Sequence, residues 1–239
     1  MSAVVEQIMG MPIVVDVRDE NADNEDLVRM FDWLRWVNAT FSTYREDSDI
    51  SRIDRGELAP ADAHEEVQFV LARCAELRVE TDGFFDARAS GQLDPSGFVK
   101  GWAVDRAAEL LQDAGLDNFA VSAGGDMRVA GRAWRVGIQH PLAGNKVAAV
   151  FETDDLAIAT SAAYARGEHV LDPHTGRAPK GVLSVTVVGR ELGTADAYAT
   201  AAFAMGSRGP QWTAGLVGYE AMTILADETV LTTGGFPDV

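Results

Sequence analysis

The chain has 239 residues, 47% of them hydrophobic, a formal net charge of −17 and a single cysteine. That length suits one domain with a sizeable core, and the strong acidity with no visible basic face argues against a nucleic-acid binder, which neutralises phosphates with lysine and arginine. Cys74 has no partner for an intrachain disulfide, and no stretch reaches the roughly 18 apolar residues of a membrane span.

The opening residues, MSAVVEQIMGMPIVVDVRDE, have neither the basic start and apolar core of a secretory leader nor a lipidation cysteine. They predict a cytoplasmic protein with no membrane insertion. The first strand is expected at residues 11–17, because Pro12 lacks an N–H and suits a strand's start or edge. A helix follows over 24–38, with Leu27, Phe31, Leu34 and Trp36 facing inward at helical spacing. Residues 41–53, FSTYREDSDISRI, are polar and read as irregular. Asp62 and Glu65 have the spacing of a capping box for a helix that runs to Glu80 on Val67, Val70, Leu71, Cys74 and Leu77. Cys74 falls in that apolar rhythm, as a core filler rather than a nucleophile. Thr81-Asp82-Gly83 ends the helix.

The segment LDPSGFVKGWAVDRAAELLQDAGLDNFAVSAGGD carries the most information. A Pro-Ser-Gly turn leads into a helix that has Lys100 at its start, its body over 102–114 and its end near Gly115. A short strand at 119–122 then runs into Gly124-Gly125-Asp126. More strands are expected at 127–129, 134–139, 147–152 and 156–159, with Thr160-Ser161 following, and at the β-branched run 182–188. An alanine-rich helix over 194–206 and closing strands at 221–225 and 229–232 complete the chain. Without a regular βαβ alternation, the expectation is an α+β fold, one domain over 1–239 of mixed sheets flanked by helices.

Several of these pieces suit a phosphate-bearing ligand. The turn before Lys100 gathers unpaired N–H groups at a helix N-terminus, and Lys100 adds a point charge. Asp196 and Thr200 lie four apart on the alanine-rich helix, hence on one face. A carboxylate with a hydroxyl is oxygen chemistry suited to Mg²⁺, and it is equally the pattern of a helix cap with a hydroxyl bonded back to the backbone. His169, in HVLDPHTGR, is either a general base or a satisfied surface histidine. Tyr44 could stack on a flat ring, although pinning its loop to the core is the simpler role. Phe84 and Phe85 read as core aromatics first. No Walker loop, Gly-x-Gly-x-x-Gly, Cys cluster or Gly-x-Ser-x-Gly elbow is present, which sets aside the commonest nucleotide and hydrolase chemistries.

Taken in order, Met9-Gly10, FSTYREDSDISRI, TDGFFD, LDPSGFVKGWAVDRA, AGGD, IATSAAY, HVLDPHTGRAP and TADAYATAAFAMG resemble the ApbE family of FAD:protein FMN transferases. The resemblance implies a T-fold-related domain that binds FAD and Mg²⁺, cleaves the pyrophosphate and joins FMN through a phosphoester to a Ser or Thr of an acceptor protein, releasing AMP. It further implies that Asp196, Thr200 and the carbonyl of Gly97 hold the metal. Met9, Tyr44, Phe84, Phe85, Asp86, Asp94, Lys100 and Val170 would surround the flavin and its phosphates. His169 would act with Lys100 in catalysis, and Thr160 and Ser161 would line the pocket. The acceptor would carry an Asp-x-x-Ser/Thr-Gly-Ala-Ser/Thr-like motif. Only seven residues separate Asp86 from Asp94, where many relatives carry a long insertion, and Phe98 stands in a turn that is usually richer in small residues. Two other readings are an FAD pyrophosphatase, with water in place of the acceptor hydroxyl, and a flavin binder without turnover.

Overall fold

The computed structural model of the protein describes residues 3–162 and 170–238. The chain opens with a hairpin of β1 (Val4–Ile8) and β2 (Met11–Val17), so the 11–17 strand is the second and not the first. Met9 and Gly10 form its two-residue turn, both at positive φ (55° and 72°), which matches the twist of the strands. Met at such a φ is uncommon, and the strand before it was hidden by the polar residues Glu6 and Gln7.

Helix α1 (Asn24–Phe41) is capped by Asp23, whose Oδ1 accepts from the Glu25 and Asp26 N–H groups at 2.8 and 3.1 Å. It runs past residue 38 because Val37 and Phe41 prolong the buried stripe of Leu27, Met30, Phe31 and Leu34. Trp33 and Trp36 lie beside that stripe, partly buried. The supposed irregular stretch contains α2 (Asp49–Asp54), where Ser48 Oγ accepts the Ser51 N–H and Ile50 and Ile53 turn inward. One cap and two apolar residues three apart are enough for a short helix that polar composition concealed.

Helix α3 (Glu65–Glu80) starts two residues later than an Asp62–Glu65 capping box would place it, with a different cap, and ends at Glu80 as expected. His64 Nδ1 accepts the Glu66 N–H at 3.2 Å, while Asp62 lies in a 3₁₀ turn, Pro60–Asp62. Cys74 is buried in this helix, and burial pushes its thiol up to about 12. An aromatic disulfide reagent at pH 8 should therefore leave Cys74 unmodified in the folded protein and titrate one thiol after denaturation. Rapid labelling of the native protein would contradict this packing. Helix α4 (Ser96–Asp113) begins six residues before Trp102, so the Pro-Ser-Gly turn is itself the helix's first turn and Lys100 lies in the second.

The strands β3 (Phe119–Ala123), β4 (Asp126–Ala130), β5 (Trp134–Gln139), β6 (Val147–Thr153), β7 (Leu156–Ala162) and β8 (Val182–Gly189) follow. Helix α5 (Leu192–Ala204), the short α6 (Gly209–Thr213), β9 (Tyr219–Leu225) and β10 (Val230–Thr232) complete the order. Among the described residues eight strands form one sheet in the order β1-β2-β3-β4-β7-β8-β9-β10, with β5 and β6 paired separately, and every pairing between these strands is antiparallel.

Side-chain alternation divides the large sheet into two faces. Ala157 and Ala159 of β7 face the main core with α1, α4 and α5, whereas Ile158 between them joins Val129, Val188, Met222 and Ile224 under the β5–β6 hairpin. Trp134, Val136, Ile138 and Phe151 of that hairpin cover this second face. The expected α+β architecture is present. Among the described residues no helix is long and apolar enough to cross a membrane.

Candidate active site

Helix α5 carries almost no polar surface; Asp196 and Thr194 are buried on it among alanines. It can approach α4 closely because glycines meet at the crossing. A Cβ on Gly101 would run into the Leu192 carbonyl, and one on Gly193 would lie 2.9 Å from Phe98 Cε2 and 3.0 Å from the Trp102 nitrogen. Asp105 of α4 fastens the crossing, its two carboxylate oxygens accepting the Leu192 and Gly193 N–H groups, each at 2.9 Å. Burial pushes the Asp105 carboxyl up to about 6, and those two amides oppose the shift.

This geometry places Lys100, next to Gly101, against Asp196, one turn beyond Gly193. Lys100 Nζ is 3.4 Å from Asp196 Oδ1 and makes a closer ion pair with Asp126 Oδ2. Burial raises the Asp196 carboxyl well above the ordinary range; Lys100 opposes that rise and the neighbouring Asp126 adds to it. Among the described residues, Asp196 Oδ2 is buried with no hydrogen-bond partner, as is Asp126 Oδ2. Toward the helix C-terminus, Thr200 Oγ1 lies 3.3 Å from Ser161 Oγ. A methyl group on Gly97 would lie 3.6 Å from the same Thr200 oxygen and 3.2 Å from Phe85 Cε2. Gly97, Lys100, Asp196, Thr200, Ser161 and Phe85 are thus brought together from α4, α5, β7 and the loop after α3.

The sheet supplies the opposite wall. Gly124 and Gly125 make the β3–β4 turn at positive φ, and Asp126 follows them as the first residue of β4. Asp126 is 1% exposed, and its Oδ1 accepts the Thr160 N–H at 2.9 Å. Thr160 therefore meets the site through its backbone. Its hydroxyl pairs instead with Thr186 Oγ1 across the strands at 2.9 Å, on the sheet's other face. A Cβ on Gly124 would lie 2.8 Å from Met11 Sδ, so the Met9-Gly10 turn stands at this same end of the sheet.

The remaining candidates form the surroundings. Asp94 Oδ1 accepts the Ser96 N–H at 3.0 Å and caps α4. Asp86 is engaged by Arg78 Nε at 2.9 Å and by the Arg88 N–H at 2.8 Å, within its own loop. Phe84 and Phe85 are buried, as core aromatics should be; the Thr81 hydroxyl holds the Phe85 N–H at 3.0 Å. His174 docks on that loop, edge-on to the Phe84 ring with centroids 4.6 Å apart, its Nε2 3.0 Å from the Asp82 carbonyl. Val170 packs, partly buried, against the main core. Tyr44 is 97% exposed, which overturns the expectation that it pins its loop to the core: its ring has no apolar wall to rest on. His169 lies outside the described residues.

The short connection between Asp86 and Asp94 is a series of tight turns tied to α2. Asp54 Oδ1 takes both the Leu93 N–H at 2.9 Å and Arg88 Nη1 at 3.0 Å. Sequence reasoning did not single out Asp126, Asp105 or Asp54 for a role. For Asp126 the signal was there, an acid directly after two glycines that end a strand. For Asp105 it was a lone acid one turn from Gly101 in an otherwise apolar helix stripe.

Among relatives, a 32% identical stretch of 167 residues, 64% of this chain, is shared with an FAD:protein FMN transferase of Vibrio cholerae, and a 34% identical stretch of 149 residues with one of Rhodobacter capsulatus. These stretches cover 50% and 28% of those two proteins, so the match spans half or less of either. The fold superposes on the solved flavin transferase ApbE of Vibrio cholerae with a TM-score of 0.86 at 25% identity, covering 98% of this chain and 97% of that one. It also superposes on the ApbE protein of Thermotoga maritima at 0.84 and 23% identity, a likeness of fold. The ApbE family model matches residues 9–90 and 87–223, and the chain belongs to the ApbE family.

Proposed function

We propose that this protein is a Mg²⁺-dependent FAD:protein FMN transferase that attaches FMN through a phosphoester to a Ser or Thr of an acceptor protein and releases AMP. One observation carries the reading: a buried carboxylate, Asp196, keeps one oxygen without a donor beside a hydroxyl and an ammonium. An unpaired buried carboxylate oxygen is costly unless a cation or donor completes it.

The residues present fit Mg²⁺. Among the described residues no three His, Cys, Asp or Glu side chains gather to hold a metal by themselves. The donor set would instead be Asp196 Oδ2, Thr200 Oγ1 and the Gly97 carbonyl, all hard oxygens, with water or phosphate completing it. When bound, the ion would offset negative charge on the diphosphate. Lys100 does the same from the protein side, its ammonium held between Asp126 and Asp196. In the first turn of α4 the Ser96 N–H is held by Asp94 and those of Phe98 and Val99 by the Pro95 carbonyl, so an anion there would look to the Gly97 N–H and to Lys100. His169 is the residue we assign as base: it takes the proton of the acceptor hydroxyl as that oxygen attacks the flavin-side phosphorus, and the bond to the AMP oxygen breaks.

A second reading, FAD hydrolysis, is favoured by the exposed Tyr44 and by the turns that Asp54 holds against α2 in place of a longer wall. An open flavin side admits water. Mass spectrometry of an acceptor incubated with FAD, Mg²⁺ and the protein separates the two. The transferase reading expects the acceptor to gain one FMN less water, with AMP released and EDTA abolishing both. Free FMN and AMP without an adduct would favour hydrolysis, and unchanged FAD would end both readings.

A further inference from the structure

Lys100 faces two buried carboxylates, and they do not share it equally. Asp126 Oδ2 makes the close ion pair, whereas Asp196 Oδ1 stands 3.4 Å from the ammonium; among the described residues Oδ2 of each carboxylate is buried without a hydrogen-bond partner, and only that of Asp126 has the ammonium against it. Asp126 is itself fixed. It is 1% exposed, it begins β4 directly after the Gly124-Gly125 turn, and its other oxygen is held by the Thr160 N–H at 2.9 Å. It therefore cannot follow Lys100 if the lysine moves, but it can hold the lysine back.

We propose that Asp126 is a positioning residue that draws the Lys100 ammonium toward the sheet and so keeps Asp196 available to a divalent cation. The proposal rests on the cation reading of Asp196 and Thr200. Its physical basis is competition for one charge. A partly buried ammonium, 20% exposed, is drawn to nearby carboxylates more strongly than it would be in water, and two stand beside it. With Asp126 present, Lys100 pairs closely with Asp126 and stands 3.4 Å from Asp196 Oδ1. With Asp126 neutral, the flexible lysine stem lets the ammonium close on Asp196, where it takes the place of the metal. Asp126 thus acts through Lys100.

The test is a double-mutant cycle on Asp126→Asn and Lys100→Met, read by Mn²⁺ binding in electron paramagnetic resonance without FAD. Asp126→Asn should weaken Mn²⁺ binding by about tenfold, within the usual range for coupled contacts. In the Lys100→Met background the same substitution should cost less than about twofold, because no lysine remains to be captured. An equal loss in both backgrounds would mean that Asp126 acts only as a distant negative charge, and the proposal would fall.

A metal-free arm separates this idea from the cation reading. Acylation of Lys100 by acetic anhydride, read by peptide mass spectrometry, should change little in Asp126→Asn, since Asp196 takes over the ammonium. It should rise several-fold only when Asp196→Asn is added, because that removes the second of the two carboxylates beside the ammonium. If Asp126→Asn alone exposes Lys100, capture by Asp196 does not occur and the proposal is overturned. If the wild-type protein binds no Mn²⁺, the cation reading fails, and this labelling pattern still decides whether Asp126 holds the lysine.

Discussion

Replacing Asp196 by Ala should lower Mg²⁺-dependent turnover of FAD by about a hundredfold to a thousandfold, the usual scale for losing a preorganised electrostatic contact. The metal-free fold should survive, and its behaviour gives the sharper readout. Burial is the main reason that the Asp196 carboxyl is raised above its unfolded value. A raised carboxyl favours the protonated native state. Its stability contribution is greatest below the unfolded value and declines as pH climbs toward the raised one, above which the ionised group is a burden. At pH 8 without metal, Asp196→Asn should therefore melt no lower than the wild type. Lys100 keeps Asp126 as its partner in either case. Adding Mg²⁺ should raise the wild-type midpoint and leave both variants unmoved, since a ligand stabilises only the state that binds it. A variant that retains Mg²⁺ stabilisation and normal turnover would show that the cation sits elsewhere.

The parts of the fold that could be read in advance are those where one pattern dominates. The strand through Val185 and Val187 is rich in β-branched residues, and α3 keeps an unbroken apolar stripe. The parts that escaped have competing local signals. The Val4–Ile8 strand alternates with Glu6 and Gln7 at a sheet edge, where one face stays wet, so it carries little apolar weight. Asp49–Asp54 is helical for one cap and two isoleucines. The start of α4 was placed late because Pro95, Ser96 and Gly97 have turn chemistry, and a helix's first turn tolerates just those residues.

At the site, Asp196, Thr200 and Lys100 were legible because helical spacing or a single charge marks them. Their mutual approach was not, since it depends on which helices touch. Gly101 and Gly193 are ninety-two positions apart and reveal nothing singly; their meaning is the crossing they permit. Asp126 was visible as part of a Gly-Gly-Asp turn, but its partner Lys100 comes from another layer. Tyr44 shows the reverse error. An aromatic in a polar loop was expected to find a hydrophobic seat, and the turn through Ser42 and Ser48 leaves it in solvent instead.

That crossing leads to the second large effect. Gly101→Ala should destabilise the protein and disable the site together. On an exposed helix the change would help by about 1 kcal/mol, because alanine forms helix better than glycine. Here the added methyl meets backbone: the Leu192 carbonyl carbon at 2.6 Å and the Gly193 nitrogen at 2.7 Å, with no side-chain end to rotate away. Relief requires α5 to retreat on the order of 1 Å, and overpacking of this kind costs about 1–3 kcal/mol or more. The retreat would strain the Asp105 bonds to the Leu192 and Gly193 N–H groups and draw Asp196 away from Lys100. A displacement of that size can cost about a hundredfold in rate. Gly234→Ala is the control, since no atom lies within 4 Å of its added methyl. Thermal melts of the two variants should show a clear drop for Gly101→Ala alone. An unchanged midpoint for Gly101→Ala would mean that the helices have room to spare, and the close α4–α5 crossing would no longer account for how Lys100 and Asp196 meet.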